Sequence, residues 1–396
     1  MSPTRGFALI TSADFIVRSA YQMGKTPLLP IYAASLGAGD AFLGFIVSVS
    51  TLTGMLLKPF VGILSDRWGR RAWLLAGTAF FAGMPLVYRF VQTPDQLFAV
   101  RMAHGLATAI YGPVTLAYVA ELSRSRRAER LGWFSAARNA GYVIGPLAAG
   151  WMLLTMEPAS VFTVIGAIST AAFIPVLLLP QGPPPRPRLP ILGQAIAALW
   201  SGSRTPAVWL AGGLNAAVLV AVYAARAFVP LHAISVGASV LVAGAFFSVQ
   251  EATHMALSPI GGRISDRLGH LRTAALGMAV LGAALPALTL AESAAGLLAP
   301  ALLVGAAQAL VFPSTVALVA ERVDEQNLGL GMGLVGTLKN AAKVSGPILA
   351  GVLIYWLDFA AAFRLLGAAL LIVATVVWLR AHHARRPRRS EEAAPA

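Results

Sequence analysis

The sequence contains no cysteine, and only 12% of its 396 residues are charged. Without cysteine the chain has no disulfides, no thiolate metal ligands and no thiol chemistry. Water-soluble domains are usually about a quarter charged. This chain is instead 57% hydrophobic, with a mean hydropathy of +0.73. The composition therefore excludes an ordinary water-soluble protein.

Nucleotide and zinc motifs are also absent. The sequence has no phosphate-binding loop of the Gly-x-x-x-x-Gly-Lys-Ser/Thr kind and no His-Glu-x-x-His element. We therefore predict no cofactor and no direct drive by ATP. Because a catalytic constellation and a soluble sensing domain are not visible either, an intramembrane enzyme or receptor is the weakest alternative.

What the chain does contain is long apolar runs. A hydrocarbon core about 30 Å thick needs about 20 consecutive apolar residues per helix. The sequence has twelve such runs, which leave little chain for a soluble domain. It therefore predicts an all-α polytopic membrane protein surrounded by membrane lipids.

The net charge of +14 is distributed unevenly. Arginines cluster in alternate connections between the runs, whereas the connections 32–40, 155–159, 232–238 and 292–294 carry no Lys or Arg. This is the positive-inside bias. It predicts a bacterial inner-membrane protein with both termini in the cytoplasm. Topology signals account for the basic residues, so we predict no nucleic-acid partner.

The two halves of the sequence repeat at an offset near 200 residues. Gly145 and Pro146, for example, return as Gly346 and Pro347. Between the halves, dense prolines forbid a continuous helix. Parallel six-helix repeats are one transporter architecture. We predict an N-terminal six-helix bundle over 1–180, a cytoplasmic linker over 181–205, a C-terminal six-helix bundle over 206–380 and a basic cytoplasmic tail over 381–396.

A charged turn after the second run carries the most specific motif. Residues 62–71 read Gly-Ile-Leu-Ser-Asp-Arg-Trp-Gly-Arg-Arg, and residues 262–272 repeat the pattern with His270 where the first copy has Arg70. The first copy resembles, at every defined position, the Gly-x-Leu-x-Asp-Arg-x-Gly-Arg-Arg/Lys signature of the major facilitator superfamily. The resemblance implies two pseudo-symmetric six-helix bundles that rock about a central cavity in alternating access.

The same resemblance implies a conformational latch at these turns. Glycines permit a tight turn, and a carboxylate facing a helix N-terminus is stabilised by roughly 0.3–1 kcal/mol. The charged side chains would hold the cytoplasmic side closed, with an acid at the end of the fourth run as their partner. The latch residues are Gly62, Asp66, Arg67, Gly69, Arg70, Glu121, Asp266 and Arg267. The alternative is that the arginines serve only to orient the chain.

A polar stripe follows the fourth run. Steps of three and four place its members on one helical face: Arg101, His104, Thr108, Tyr111, Thr115 and Tyr118. The run resembles the Arg-x-x-x-Gly element of the family's drug:proton antiporters through Arg101 and Gly105. That resemblance implies a role for Arg101 in proton coupling. The alternative is that Arg101 extends towards the outer membrane interface.

Small residues and a proline recur along the fifth run, at Gly141, Gly145, Pro146 and Gly150. Such spacing lets helices approach closely, and proline adds a bend. The run resembles the Gly-x-x-x-Gly-Pro-x-x-Gly-Gly element associated with export members, with Ala149 in place of the penultimate glycine. The resemblance implies export. Ordinary close packing is the alternative, and the repeat of this element in the second half supports it in part.

Acids inside apolar runs are candidate proton carriers, because a charge at mid-membrane is costly. A carboxylate in an apolar cavity can load and release protons near neutral pH. Glu251 and Asp14 are the candidates, with His254 as a relay one turn after Glu251. Asp14 has the alternative role of neutralising Arg18 within its own helix, whereas Glu251 has no opposite charge one turn away. With Arg101, these residues form the predicted proton-coupling set.

Among the charged residues that we assign to the interior, six are cations and two, Asp14 and Glu251, are acids; the cations are Arg18, Arg101, Arg138, Arg226, Lys339 and Lys343. Fixed positive charge in a low-dielectric cavity attracts anions, which predicts an anionic or amphiphilic-anionic substrate. The predicted cavity residues are Arg18, Gln22, Tyr111, Arg138, Asn139, Tyr142, Arg226, Lys339 and Lys343. We predict a monomeric, proton-coupled secondary transporter that exports small drug-like molecules. The alternatives are a flippase for a lipid or lipid-linked anionic headgroup and a proton-coupled uptake symporter.

Overall fold

The computed structural model describes residues 3–122, 127–180 and 205–383, and for 3, 63, 66–68, 120, 121, 127, 128 and 325–327 it describes the backbone alone. These residues form helices joined by short turns, and no strand occurs among them. Nearly all of the predicted linker, and the predicted tail beyond His383, lie outside the described residues.

The first half of the chain contains eight α-helices and one 3₁₀ helix within the described ranges. They are α1 (Pro3–Lys25), α2 (Leu28–Ser35), α3 (Asp40–Trp68), α4 (Arg70–Val87), the 3₁₀ helix Tyr88–Phe90, α5 (Pro94–Leu122), α6 (Arg127–Met152), α7 (Pro158–Thr170) and α8 (Phe173–Leu177).

The second half contains six longer helices. They are α9 (Pro206–Ser235), α10 (Val240–Leu268), α11 (His270–Thr289), α12 (Ala294–Arg322), α13 (Glu325–Trp356) and α14 (Phe359–His383). Local signals fix several starts: Pro158 and Pro206 occupy the first helical turn of α7 and α9. Ser293 Oγ caps α12 by accepting a hydrogen bond from Gly296 N at 3.1 Å.

Each predicted apolar run corresponds to one helix or to a consecutive pair, since α1 with α2 covers the first run and α7 with α8 the sixth. Seven helical segments in the described residues are long and apolar enough to cross a membrane by length and composition. Among the other long helices, α1, α5, α6 and α13 carry charged residues of the interior. The all-α fold of two six-helix halves is thus confirmed.

Positive backbone φ angles mark the duplication. Among the described residues they occur at four glycines, Gly37 and Gly69 in the first half and Gly237 and Gly269 in the second. The offset is 200 residues in both pairs. Because L side chains rarely adopt this conformation, the same tight turns recur at the same places. Gly69 and Gly269 separate α3 from α4 and α10 from α11.

The two halves touch closely near the starts of α3 and α10, the end of the molecule opposite Gly69 and Gly269. Ser48 Oγ donates to Val344 O at 2.8 Å. The equivalent Ser248 Oγ donates to Val143 O at 2.5 Å. These hydrogen bonds join α3 to α13 and α10 to α6, so the contact between the halves is itself pseudo-symmetric. We call this end the closed end.

Candidate substrate and proton site

A buried ion pair joins Glu251 of α10 to Arg226 of α9. Arg226 Nη2 donates to Glu251 Oε1, and both residues are less than a tenth exposed. His254, one turn after Glu251, brings Nδ1 to 3.5 Å from Glu251 Oε2. Its ring packs edge-on against Phe312, with the centroids 5.4 Å apart. The carboxylate therefore lies between the guanidinium of Arg226 and the imidazole of His254.

Three cations surround one aromatic ring, that of Tyr223 on α9. Lys25 Nζ, Arg226 Cζ and Lys343 Nζ lie 5.0, 5.1 and 5.7 Å from its centroid. Lys25 comes from the first half of the molecule and the other residues from the second. We call Lys25, Tyr223, Arg226 and Lys343 the Tyr223 cluster. It bridges the two halves.

The Tyr223 cluster carries an excess of positive charge. Of its cations, Arg226 is paired with Glu251, and none of the described ion pairs includes Lys25 or Lys343. A cation over an aromatic face gains about 0.5–2 kcal/mol, whereas the desolvation of a buried ion costs several kcal/mol. The ring therefore offsets only part of the cost, and an anion bound here would offset more.

Further cations lie along the interior of α13 and α3 and add to the excess of positive charge. Lys339 Nζ lies 5.2 Å from the centroid of Phe312, and Lys58 is partly buried on α3. Tyr142 of α6 lies within electrostatic range of Arg18, Arg226 and Lys343. Arginines and lysines thus converge from both halves.

The second buried acid of the described chain, Asp14 on α1, is paired in a different way. Arg138 of α6 donates two hydrogen bonds to it, from Nε at 3.0 Å and from Nη2 at 2.9 Å. Arg18 lies 3.8 Å away on the same helix, and Thr115 accepts a third hydrogen bond from Arg138 at 3.2 Å. This bidentate pairing is geometrically specific, so Asp14 neutralises Arg138 more directly than it neutralises Arg18.

Arg101 lies apart from Glu251, inside the first half. It is 1% exposed and does not reach the outer surface. Its partners are Ser50 Oγ and Tyr88 Oη. Tyr88 Oη is also 3.1 Å from Nδ1 of His104, another member of the predicted polar stripe. The predicted proton-coupling residues therefore occupy three separate places, around Glu251, Asp14 and Arg101.

The remaining predicted cavity residues differ in exposure. Gln22 and Tyr111 are buried, at 3% and 1%, and Thr78 Oγ1 donates to Tyr111 Oη at 3.5 Å. Asn139, next to Arg138, is exposed. The structure thus places Gln22 and Tyr111 in packed surroundings and leaves Asn139 accessible.

The small residues of α6 lie against two other helices. A Cβ added at Gly141 would lie 2.9 Å from Ser19 Oγ, and one added at Gly145 would lie 2.7 Å from Gln22 Cβ, both on α1. Further along, a Cβ added at Gly150 would lie 3.1 Å from Leu241 Cα of α10. Pro146 O faces Gly244, again on α10. The element therefore lies at the contact of α6 with α1 and with the other half.

The predicted latch is described only in part. Gly69 connects α3 to α4 with a φ of +89°, and Gly62 faces open space. Arg70 is partly buried at the start of α4. The side chains of Asp66, Arg67 and Glu121 lie outside the described residues.

The second copy of the latch shows a cross-helix contact. His270 Nε2 lies 3.6 Å from Glu321 Oε2 on α12, and His270 Nδ1 lies 2.7 Å from Ser265 Oγ. Asp266 and Arg267 are exposed at the end of α10. By the offset of 200, His270 and Glu321 stand where the first copy has Arg70 and Glu121.

Sequence reasoning missed Lys25 and Tyr223 as site residues. Lys25 ends α1 just before a proline, where a basic residue is typical of a helix end. Tyr223 is an ordinary aromatic in an apolar run. A signal was available for Lys25, because it lies inside the first apolar run and not in one of the basic connections.

The duplicated helical halves and their charged interior define a multi-pass membrane transport protein. The chain belongs to the Major Facilitator Superfamily, whose family model matches residues 15–249 and 215–396. Among curated proteins, it is similar to an MFS-type transporter of Methanocaldococcus jannaschii, with 23% identity over 361 residues, 89% of this chain and 92% of that one. It is also similar to the quinolone resistance protein NorA of Staphylococcus aureus, with 28% identity over 158 residues, 40% of each chain.

Solved structures share the fold at low sequence identity. The nucleoside transporter NupG superposes with a TM-score of 0.80 at 14% identity, covering 94% of this chain and 99% of that one. A bacterial homologue of the lysosomal transporter Spinster, in an inward-facing state, gives a TM-score of 0.74 at 15% identity, covering 96% of both. At such identities the likeness is one of fold alone.

Proposed function

We propose that this protein is a proton-coupled secondary transporter of small organic anions, with Glu251 as the proton-carrying group. The observation that carries the proposal is the buried Glu251–Arg226 pair beside the Tyr223 cluster. Protonation of Glu251 would change by one the net charge of Glu251 and the Tyr223 cluster taken together. If binding of the substrate depends on that charge, it is coupled to binding of the proton. The transporter works as a monomer in a bacterial inner membrane, with both termini cytoplasmic and without a cofactor.

The anionic nature of the substrate rests on unpaired positive charge. Lys25 and Lys343 present ammonium groups from opposite halves, and a carboxylate or sulfonate placed between them would accept hydrogen bonds from both. Bonds of this charge-assisted kind are about twice as strong as neutral ones. The ring of Tyr223 adds an apolar surface for an aromatic or amphiphilic substrate. A cation would meet repulsion at the same place.

Export is supported by two similarities. The partial likeness to the quinolone resistance protein NorA is one, and the Gly145 and Pro146 element of α6 is the other. The closed end lies away from the basic connections, so the halves are in contact on the side opposite the one that the positive-inside bias assigns to the cytoplasm. An exporter loads its substrate in such a state.

A second candidate, proton–anion symport, is favoured by the pairing of Arg226. When Glu251 is ionised it occupies Arg226; when it is protonated, Arg226 is free to bind an anion. Proton and anion would then strengthen each other's binding by the same factor. Antiport requires the opposite sign, because the proton and the substrate must compete for the carrier. The effect of pH on anion binding therefore separates the two candidates.

The proposed function is tested by proton flux in proteoliposomes that contain a pH-sensitive dye. Permanently charged probes keep the pH from changing the substrate itself: 1-naphthalenesulfonate as the anion and tetraphenylphosphonium as the cation. We expect the sulfonate to move protons and the phosphonium to move none. Glu251→Gln should abolish the proton flux, whereas the exposed control Glu292→Gln should retain it.

Three outcomes contradict the proposal. If the cation moves protons and the anion does not, the charge selectivity is wrong. If Glu251→Gln retains full proton flux, Glu251 is not the proton carrier and Asp14 is tested next. If neither probe moves protons while a fluorescent phospholipid changes leaflets, the protein is a flippase.

A further inference from the structure

Arg101 lies in a small enclosed cavity of the first half that is separate from the Tyr223 cluster. The cavity lies among α1, α4, α5 and α7, and its wall includes Tyr21, Phe81, Arg101, His104, Phe162 and Ser169. Arg101 is 1% exposed and His104 is 4% exposed. A guanidinium, which stays charged in proteins, is therefore enclosed by mostly apolar walls.

The hydrogen-bond partners of Arg101 are neutral. Nη2 donates to Ser50 Oγ, and Nη1 donates to Tyr88 Oη at 3.4 Å. Nε has no acceptor within hydrogen-bond distance among the described residues. None of the described ion pairs includes Arg101. The charge that acts on it from the end of α1, Lys25, is also positive.

The hydrogen bonds of Tyr88 favour one tautomer of His104. The Tyr88 hydroxyl accepts from Arg101, so its single proton is available for His104 Nδ1, 3.1 Å away. A neutral imidazole that accepts at Nδ1 carries its own proton on Nε2. His104 Nε2 is buried and has no partner among the described residues. Two N–H donors, Arg101 Nε and His104 Nε2, therefore lack acceptors at the same cavity.

We propose that this cavity binds one chloride-sized inorganic anion, held by Arg101 and His104. An anion accepts both orphan hydrogen bonds and also neutralises the buried guanidinium. A water molecule supplies an acceptor but leaves the charge uncompensated, which is the larger cost. The cavity has room for about one particle of roughly the size of a water molecule, which suits a single monatomic anion better than phosphate or an organic anion.

The second half of the molecule lacks an equivalent site. At the offset of 200 residues, Arg101 and His104 correspond to Ala301 and Val304. Ser50 corresponds to Gln250, whose Nε2 instead donates to Gln308 Oε1 at 2.8 Å. A residue kept only for packing of the repeat would recur in both halves. The charge of Arg101 is therefore present in the first half and absent at the equivalent position of the second half.

The experiment measures equilibrium binding of radioactive chloride to the purified full-length protein, in gluconate buffer at constant ionic strength. Melting temperature is recorded in parallel, because a ligand that binds the folded state raises it. We expect one chloride per protein. Arg101→Gln should abolish its binding, and His104→Leu should weaken it about tenfold, since it removes one hydrogen bond to a charged group.

Two controls locate the chloride. Lys343→Gln removes a cation of the Tyr223 cluster, and Arg89→Gln removes an exposed one from the 3₁₀ helix; both variants should retain the bound chloride. If Arg101→Gln does not fold, His104→Leu decides the result. The proposal is overturned if the wild-type protein binds no chloride, if His104→Leu binds as tightly as wild type, or if only Lys343→Gln loses the anion. Because no step depends on transport, a failed flux assay leaves this result unaffected.

Discussion

At the scale of single residues, the interior of this protein contains charged side chains of two kinds, those in ion pairs and those without an acidic partner among the described ion pairs. Asp14 and Glu251 each have an arginine partner on another helix, Arg138 and Arg226 respectively. The described ion pairs leave Lys25, Lys339 and Lys343 without a carboxylate. Lys25 and Lys343 converge on the ring of Tyr223, and Lys339 lies over Phe312. Such unpaired cations are costly to keep and are suited to an anionic ligand.

The contribution of the lysines can be measured by removing one charge at a time. Lys25→Gln and Lys343→Gln should each weaken binding of 1-naphthalenesulfonate about tenfold or more, because each removes a charge-assisted hydrogen bond. Isothermal titration on the purified protein checks this. The exposed Arg380→Gln is the matched control and should bind as wild type. Unchanged affinity in both lysine variants would show that the anion binds elsewhere.

The Asp14–Arg138 pair should contribute mainly to stability. Asp14→Asn leaves the partly buried Arg138 without its carboxylate and should destabilise the fold by up to about 3 kcal/mol. Adding Arg138→Gln should recover part of that loss, because the unpaired charge is then removed. Thermal unfolding in detergent checks both variants, with the exposed Asp95→Asn as control. A double variant no more stable than Asp14→Asn alone would contradict this role.

Part of the site was predictable at this scale. A charged residue inside an apolar run is conspicuous in sequence, so Glu251, Arg226 and Lys343 were found directly. Their pairing was not, because Arg226 and Glu251 lie on different helices and periodicity gives only neighbours on one helix. For the same reason the sequence did not separate Arg101 from the surroundings of Glu251.

At the scale of helices, glycines at the closed end determine how near the halves approach. A Cβ added at Gly44 of α3 would lie 3.1 Å from Ile348 Cα and closer still to Pro347 O on α13. The equivalent Gly244 of α10 faces Pro146 O on α6. Larger side chains at these positions therefore push the halves apart at this end.

This closure can be measured by cross-linking, because the chain has no cysteine of its own. With cysteines at Ser48 and Val344, oxidation should form a disulfide between α3 and α13. Adding Gly44→Leu should reduce its yield several-fold and impair transport. Gly83→Leu is the control, because nothing lies within 4 Å of a Cβ added there. An undiminished yield with Gly44→Leu would contradict close approach at this glycine.

Helix existence was well predicted by sequence, but helix continuity was not. Each apolar run corresponds to a helix or a pair, whereas α1 ends at Lys25 and α2 begins at Leu28, a break placed by Pro27. Hydropathy reports how much apolar chain there is and is insensitive to a local turn. The last helix continues to His383, three residues beyond the predicted boundary of the bundle.

At the scale of the whole molecule, the duplication accounts for the arrangement of the helices, and the differences between the halves account for the candidate site. The left-handed glycines and the contacts at the closed end recur at offsets of about 200 residues. Two charged residues near Tyr223 do not recur: Glu251 corresponds to Thr51, and Lys25 to Ala225. In the proposed mechanism, the symmetric scaffold would supply the alternating motion, and side chains present in one half would bind the substrate and the proton.

In the proposed mechanism, the charge of Glu251 controls the binding of an anion. Its most direct test is the affinity for 1-naphthalenesulfonate measured from pH 5 to pH 9, in wild type and in Glu251→Gln. Because the sulfonate stays ionised, any change with pH belongs to the protein. We expect the affinity to change with pH in wild type and to be nearly constant in Glu251→Gln. Tighter binding in acid indicates symport, and weaker binding in acid indicates antiport. An identical pH dependence in both proteins would contradict the claim.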